Sequence, residues 1–265
     1  MRDFPDELAT ALELAEWASW RITGARPLAV TSKAHAADLV TETDREIERR
    51  VRQVLTERFP YPVVGEEYGG RPSTDGLTWY VDPVDGTTNY ASGLPWCSFS
   101  LALADADGPV LGVVADPFHG EVFSAVRDGP ALRNGVPIKC RDATSLSGEI
   151  VVSEWAAHRP WPGMPTMLRR LADMHCTVRI MGSSALSLVS VGAGRAVGGV
   201  IGEFSPIDVL AAMLIASRAG AVVLGEDGKP AWFPHSGGIL VSAPGVSDVL
   251  WRAWTLPPGS GPEED

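Results

Sequence analysis

Residues Trp79-Tyr80-Val81-Asp82-Pro83-Val84-Asp85-Gly86-Thr87-Thr88-Asn89-Tyr90 carry a β-like apolar run straight into two carboxylates three residues apart. Pro83 fixes its own φ and lacks a donor, while Gly86 opens a backbone conformation closed to other residues. The two acids thus sit on a rigid turn, where they repel each other unless a positive charge lies between them. A hard divalent cation meets that need, since it takes oxygen ligands and stabilises both carboxylates at once. Taken alone, D-P-x-D reads more readily as an Asx-type turn in a surface loop. The remainder of the chain shifts that balance.

Working outward, Val63-Val64-Gly65-Glu66-Glu67 gives an apolar strand end, a glycine and two acids. Asp38-Leu39-Val40-Thr41-Glu42-Thr43-Asp44 leads acids and threonines into a helix, and Asp208 stands near the start of a helix otherwise built of Val, Leu, Ala and Met. An Asp in that place is, by itself, a charge favoured by the helix dipole. Each piece is weak alone; their joint order is specific.

Composition narrows the field. The 265 residues are 45% hydrophobic and 21% charged, as in an ordinary globular protein with one domain or two joined subdomains. A net charge of −11 argues against nucleic acid or an anionic membrane as partner, because no basic stripe is available to neutralise phosphates. It also sets a condition on any anionic substrate: bound cations must reverse the local field. Cys97, Cys140 and Cys176 form no C-x-x-C, and the five histidines form no H-x-x-x-H, so neither a disulfide framework nor a zinc site is expected. With no apolar leader and no run of membrane-spanning length, a cytoplasmic protein is expected.

Periodicity predicts amphipathic helices over 6–23 and 43–59, the second capped by Thr41 or Thr43. Strands follow at 62–65, 77–81, 98–104, 110–114 and 122–126, with Arg133-Asn134-Gly135 as a turn. From Ser147 the elements alternate: strands at 150–152, 177–180, 197–201, 221–224 and 239–242, and helices at 164–174, 184–191, 205–219 and from 246. This is a layered α/β pattern. The expected division is an N-terminal α+β subdomain over 1–146, a C-terminal α/β subdomain over 147–256 and a disordered tail over 257–265. Gly192-Ala193-Gly194-Arg195-Ala196-Val197-Gly198 follows a helix and not a strand, so it reads as a helix-ending turn rather than a dinucleotide loop.

The segments Asp38–Asp44, Gly65-Glu66-Glu67, Asp82–Tyr90, Gly182-Ser183-Ser184 and Asp208 together resemble the inositol monophosphatase family of Mg²⁺-dependent phosphomonoesterases, over about residues 8–252. The resemblance implies a layered αβαβα sandwich, usually a homodimer, acting on a small phosphorylated substrate. It implies that Glu66, Asp82 and the Val84 carbonyl hold one Mg²⁺, that Asp82, Asp85 and Asp208 hold a second, and that a third ion leans on Glu66. Glu66 and Thr87, with Asp44 behind Thr87, then orient the attacking water. The N–H groups of Gly86, Thr87 and Thr88 meet the phosphate, with Asp85 and Asp208 beside it. The Gly182-Ser183-Ser184 turn touches the hydroxyl side of the substrate, although Ser184 reads equally well as a helix N-cap.

The chain departs from the family pattern in three places. Ile207 replaces the usual Trp before the last metal acid, Ala211-Ala212 replaces Ala-Gly, and the position of the acid that binds inositol hydroxyls falls on Ile201, with Glu203 the nearest acid. The expected function is Mg²⁺-dependent hydrolysis of a polyol, cyclitol or sugar monophosphate. The alternatives are the same chemistry on histidinol phosphate, a nucleotide phosphate or fructose 1,6-bisphosphate, and a catalytically silent regulatory or binding protein. Lys33 matches a lysine near the family's metal loop, though a solvated loop lysine is as good a reading. Trp155 and Trp161 lie at a Pro-rich segment (His158–Pro165) that suits either a substrate mouth or a dimer contact.

Overall fold

The computed structural model describes residues 4–24, 30–32, 39–156, 159–234 and 237–256. Asp38, Lys33, His158 and the expected tail over 257–265 lie outside the described residues. In chain order the elements are α1 (Pro5–Gly24), β1 (Val30–Ser32), β2 (Leu39–Thr41), α2 (Glu42–Arg58), β3 (Val63–Gly65), β4 (Thr78–Asp85), α3 (Thr87–Ser92), β5 (Ser98–Asp105), β6 (Gly108–Asp116), β7 (Glu121–Val126), β8 (Leu132–Arg133) and β9 (Val136–Pro137). They continue as β10 (Ile150–Glu154), α4 (Met164–Asp173), β11 (Thr177–Arg179), α5 (Ser184–Gly192), β12 (Gly198–Ile201), α6 (Pro206–Arg218), β13 (Val222–Gly225), β14 (Ile239–Ser242) and α7 (Ser247–Thr255).

Two helices open the chain because their apolar residues recur at helical spacing. Ala11, Leu14, Ala15, Ala18 and Ile22 of α1 and Ile47, Val51, Val54 and Leu55 of α2 are buried together against one sheet. Thr41 caps α2 in a capping box with Asp44. That sheet has seven strands in the order β3-β4-β5-β6-β7-β8-β9, parallel only at β3–β4. The second has five, in the order β11-β10-β12-β14-β13, parallel around β10 and antiparallel around β14.

Between the sheets lie α5 and α6, packed on each other and on both sheets, while α4 and α7 cover the outer face of the second sheet. The layers run α1/α2, seven strands, α5/α6, five strands, α4/α7, which is the αβαβα sandwich anticipated from the sequence. The inner helices are apolar on all sides, as their position demands: Ala185 to Gly192 of α5 and Val209 to Ala216 of α6 are buried throughout. Ala211 backs onto Gly112 of β6, where an added Cβ would come within 2.7 Å of the Ala211 carbonyl oxygen. Among the described residues no helix is long and apolar enough to cross a membrane.

Candidate active site

The end of β4 is where sheet and inner helices meet. β4 is buried along its whole length and runs through Pro83 to Asp85, four residues past the stop expected at Val81. In a regular strand, residues three apart face opposite sides. Here the pairing with β5 shifts register between Asp82 and Asp85, and the irregularity brings both carboxylates to one side. The Val84 N–H donates to Asp82 Oδ1 at 3.0 Å, which closes the turn. Gly86 follows at φ +93 and caps α3, and a Cβ there would meet the Gly182 carbonyl oxygen at 2.8 Å.

Asp82 is the centre of an acidic group. It is 3% exposed, and burial, then the charges of Glu66, Asp85 and Asp208, hold its carboxyl well above the usual range. Glu66 reaches it from the loop after β3 and is itself exposed; Asp208 reaches it from the first turn of α6. Asp85 is gripped from the other side of the interior: Ser183 Oγ donates at 2.5 Å, Ala185 N at 2.8 Å, Ser184 N at 3.1 Å and Ser98 Oγ at 3.2 Å. Burial pushes Asp85 up to about 6 against the pull of those hydrogen bonds.

A second network stands behind α3. Thr87 Oγ1 lies 3.1 Å from Asp44 Oδ1 and 3.0 Å from the Val84 carbonyl oxygen, so its one proton serves one of the two at a time and the hydroxyl keeps its accepting capacity. Asp44 is fully buried at the start of α2 and accepts from Thr41 N at 3.0 Å and from Thr41 Oγ1. Burial raises its carboxyl despite those bonds. Thr88 is exposed in the first turn of α3. Cys97 adjoins the group, and burial, followed by the charges of Asp85, Asp116, Asp44 and Asp82, pushes its thiol up. It stays protonated and offers no thiolate nucleophile.

The chain thus gathers Glu66, Asp82, Asp85, Asp208, Thr87 and Asp44 from five segments, but the remaining expected contacts stand differently. Ser183, not Ser184, is the N-cap of α5, and its hydroxyl is spent on Asp85 and Leu186 N. Glu203 is exposed in the loop after β12, whereas Ile201 is 5% exposed within the core. Trp161 is core as well, donating its indole N–H to the Glu154 carbonyl, while Trp155 is 53% exposed. The sequence reading passed over Glu154 and Glu48, two buried carboxylates one layer behind the acids. The available signal was an acid ending an apolar strand and an acid four residues after Asp44 on α2.

The acids around Asp82 are an all-oxygen set without His or Cys ligands, the donor chemistry of a hard cation. Crowding four carboxylates into a site that is partly buried is costly unless positive charge joins them, so the residues fit a divalent ion. Among the described residues, no three His, Cys, Asp or Glu side chains already stand as a finished ion cage.

A model of the inositol monophosphatase family matches residues 5–254. An inositol-1-monophosphatase of Mycolicibacterium smegmatis is 34% identical over 92% of this chain and 90% of its own. A Thermotoga maritima protein named fructose-1,6-bisphosphatase/inositol-1-monophosphatase is 34% identical over 76% of this chain and 77% of its own. The solved inositol monophosphatase of Anabaena superposes with a TM-score of 0.84 at 32% identity, covering 95% and 96% of the two chains. Fold and site together define a phosphoric monoester hydrolase of a metal-dependent kind. The chain belongs to the inositol monophosphatase family.

Proposed function

We propose that the chain hydrolyses the monophosphate of a small polyol, an inositol, another cyclitol or a sugar, with two to three Mg²⁺ ions. The observation that carries this reading is Asp82, buried among the charges of Glu66, Asp85 and Asp208 on the corner that continues into Thr87 and its hydrogen bond to Asp44. Glu66, Asp82, Asp85, Asp208 and the Val84 carbonyl would hold the ions. When bound, Mg²⁺ supplies charge that stabilises the phosphate oxygens and makes water a better nucleophile. The chain's own part is positional. Thr87 Oγ1, its proton directed to Asp44, accepts a hydrogen bond from the attacking water, and Glu66 takes the second proton of that water. The N–H groups of Gly86, Thr87 and Thr88 face the phosphate. Water forms the new P–O bond, the ester P–O bond breaks, the leaving alcohol takes a proton from solvent, and Glu66 returns its proton to solvent.

Glu203, Ser183 and Ser184 are our candidates for the alcohol side, with Asp208 at its edge. Ile201 in the core removes the acid expected to hold inositol hydroxyls, and a relative is named for two substrates. Fructose 1,6-bisphosphate is therefore the second reading, ahead of histidinol and nucleotide phosphates. We further propose that residues 1–146 and 147–256 act as two subdomains, in a homodimer within a reducing cytoplasm. Family membership supports the dimer, and three free, buried cysteines support the compartment.

The test is phosphate release from inositol, sugar, histidinol and nucleotide monophosphates and from fructose 1,6-bisphosphate, with Mg²⁺ and with chelator. A polyol or sugar monophosphate should give the highest kcat/KM, and only with Mg²⁺. Preference for any other phosphate overturns the substrate class, and metal-independent turnover overturns the mechanism.

A further inference from the structure

Glu154 ends β10 as a carboxylate 4% exposed to solvent. Its cross-strand partner is Ile201, and among the described residues no positive charge is hydrogen-bonded to it. Three donors hold it: Gly182 N to Oε2 at 2.7 Å, Ser187 Oγ to Oε1 at 2.6 Å and Met181 N to Oε1 at 3.2 Å. Burial, with the charge of Asp85 adding, pushes its carboxyl up to about 7 against those bonds. A buried acid without a counter-charge is costly, and an apolar side chain of similar size would serve packing as well. What distinguishes this acid is the segment it holds.

Met181-Gly182 is the turn that leads into α5, and the next three residues are those that grip Asp85. The same turn is fixed from α3, which follows β4 of the first sheet. Asn89 Nδ2 donates to the Met181 carbonyl at 2.7 Å and to the Trp96 carbonyl at 2.8 Å. The Gly182 carbonyl oxygen lies so close to Gly86 that a Cβ on Gly86 would come within 2.8 Å of it. The turn is therefore wedged between the second sheet, through Glu154, and the β4–α3 corner that carries Asp82, Asp85 and Thr87.

We propose that Glu154 is a positioning residue of the active centre: by accepting the Met181 and Gly182 amides it fixes the turn that aims the Ser183, Ser184 and Ala185 donors at Asp85. Three of the four donors to Asp85 are thereby set from the other sheet. The proposal rests on reading Asp85 as part of that centre. Carboxylates one layer behind metal-binding groups typically change affinity by about 10–100-fold when removed.

The experiment is Glu154→Gln in the full chain, with three readings: Mg²⁺ binding by calorimetry without substrate, amide exchange of Ser184 and Ala185 in metal-free protein, and kcat and KM. We expect Mg²⁺ to bind roughly tenfold or more weakly and the two amides to exchange about tenfold faster. The kcat should fall while KM changes less. Combined with Asn89→Ala, which loosens the same turn, the losses should be less than additive. Mg²⁺ affinity and amide exchange within about twofold of wild type overturn the proposal, as does a lower melting temperature with unchanged Mg²⁺ affinity. If Glu154→Gln does not fold, Ser187→Ala decides, since it removes one donor and leaves the carboxylate satisfied. It should weaken Mg²⁺ about threefold, and no change overturns the proposal. Absence of turnover on every phosphomonoester would refute the substrate reading above, whereas the calorimetric and exchange results would still judge Glu154.

Discussion

Two buried carboxylates stand one layer behind the acidic centre, and they hold their loops by different electrostatics. Glu48 on α2 is fully buried and accepts from Glu67 N at 2.6 Å and Tyr68 N at 3.2 Å, strapping the loop that carries Glu66. Arg52, one turn later, pairs with it at 2.8 Å and also donates to the Val63 and Gly69 carbonyls. Glu154 straps the turn before Asp85 in the same manner but with hydrogen bonds alone. Where an arginine answers the carboxylate, losing the charge strands the partner. Where only amides and a hydroxyl answer it, the buried charge is poorly tolerated and protonation relieves it. The Glu66 side of the site is thus ion-paired, and the Asp85 side is held by dipoles.

The largest effect should come from the residue that lies under the charges of both strapped acids, Glu66 and Asp85. Asp82→Asn should lower kcat on the order of 10³-fold, as expected when charge at the reacting centre is lost, and should not lower the melting temperature, because it relieves repulsion from Glu66, Asp85 and Asp208. Near-wild-type turnover would show that the straps converge elsewhere.

Next comes the pH dependence that separates the straps. Glu154 titrates near 4.5 when unfolded and at about 7 when folded, with Asp85, Ser187 and the Met181 and Gly182 amides as the groups facing it. Between those values the folded chain keeps a proton that the unfolded chain has lost, so stability falls as pH rises. The ceiling is about 3 kcal/mol. In metal-free protein, urea unfolding from pH 5 to 8 should show wild type losing stability relative to Glu154→Gln by up to that amount. A constant difference across the range breaks the contrast.

Glu48→Gln should cost about 2 kcal/mol at neutral pH, by leaving Arg52, 25% exposed, without its carboxylate. Arg52→Met in the same chain should restore part of the loss, and a cost no larger than that of Glu154→Gln would erase the distinction. The smallest effect is expected at Glu203, which lies outside both straps. Glu203→Gln should raise KM for a polyol phosphate about threefold with kcat unchanged. An unchanged KM would remove Glu203 from the substrate side.

The sequence disclosed elements where one rule governed them. Helical spacing fixed α1 and α2, and the alternation after Ser147 foretold the second half, including β14 at Ile239–Ser242. It misled where tertiary burial overrode local chemistry. Pro83 argued for a strand end at Val81, yet β4 continues to Asp85 because the missing N–H falls at the register shift. The strand expected over 150–152 runs on through Ser153 and Glu154, buried under α5. The pairing of β1 with β2, three residues each, left no periodic signal. The acids of the centre were legible because D-P-x-D-G-T and G-E-E are distinctive strings. Their supports were not, because Glu48 and Glu154 look like any polar residue until the fold shows which amides they face.

The register shift in β4 has a consequence for how this site can change over generations. Asp82 and Asp85 share a side only because two residues separate them across that slip. Replacing Pro83 or Val84 leaves the count intact, whereas inserting one residue beside the slip would send one carboxylate to the opposite face of the sheet. Deleting one would abolish the slip and the turn that the Val84 N–H closes, leaving the acids two apart on a regular strand. What lineages must preserve here is an interval more than a pair of identities, and descent should tolerate varied spelling at 83 and 84 but no change of length.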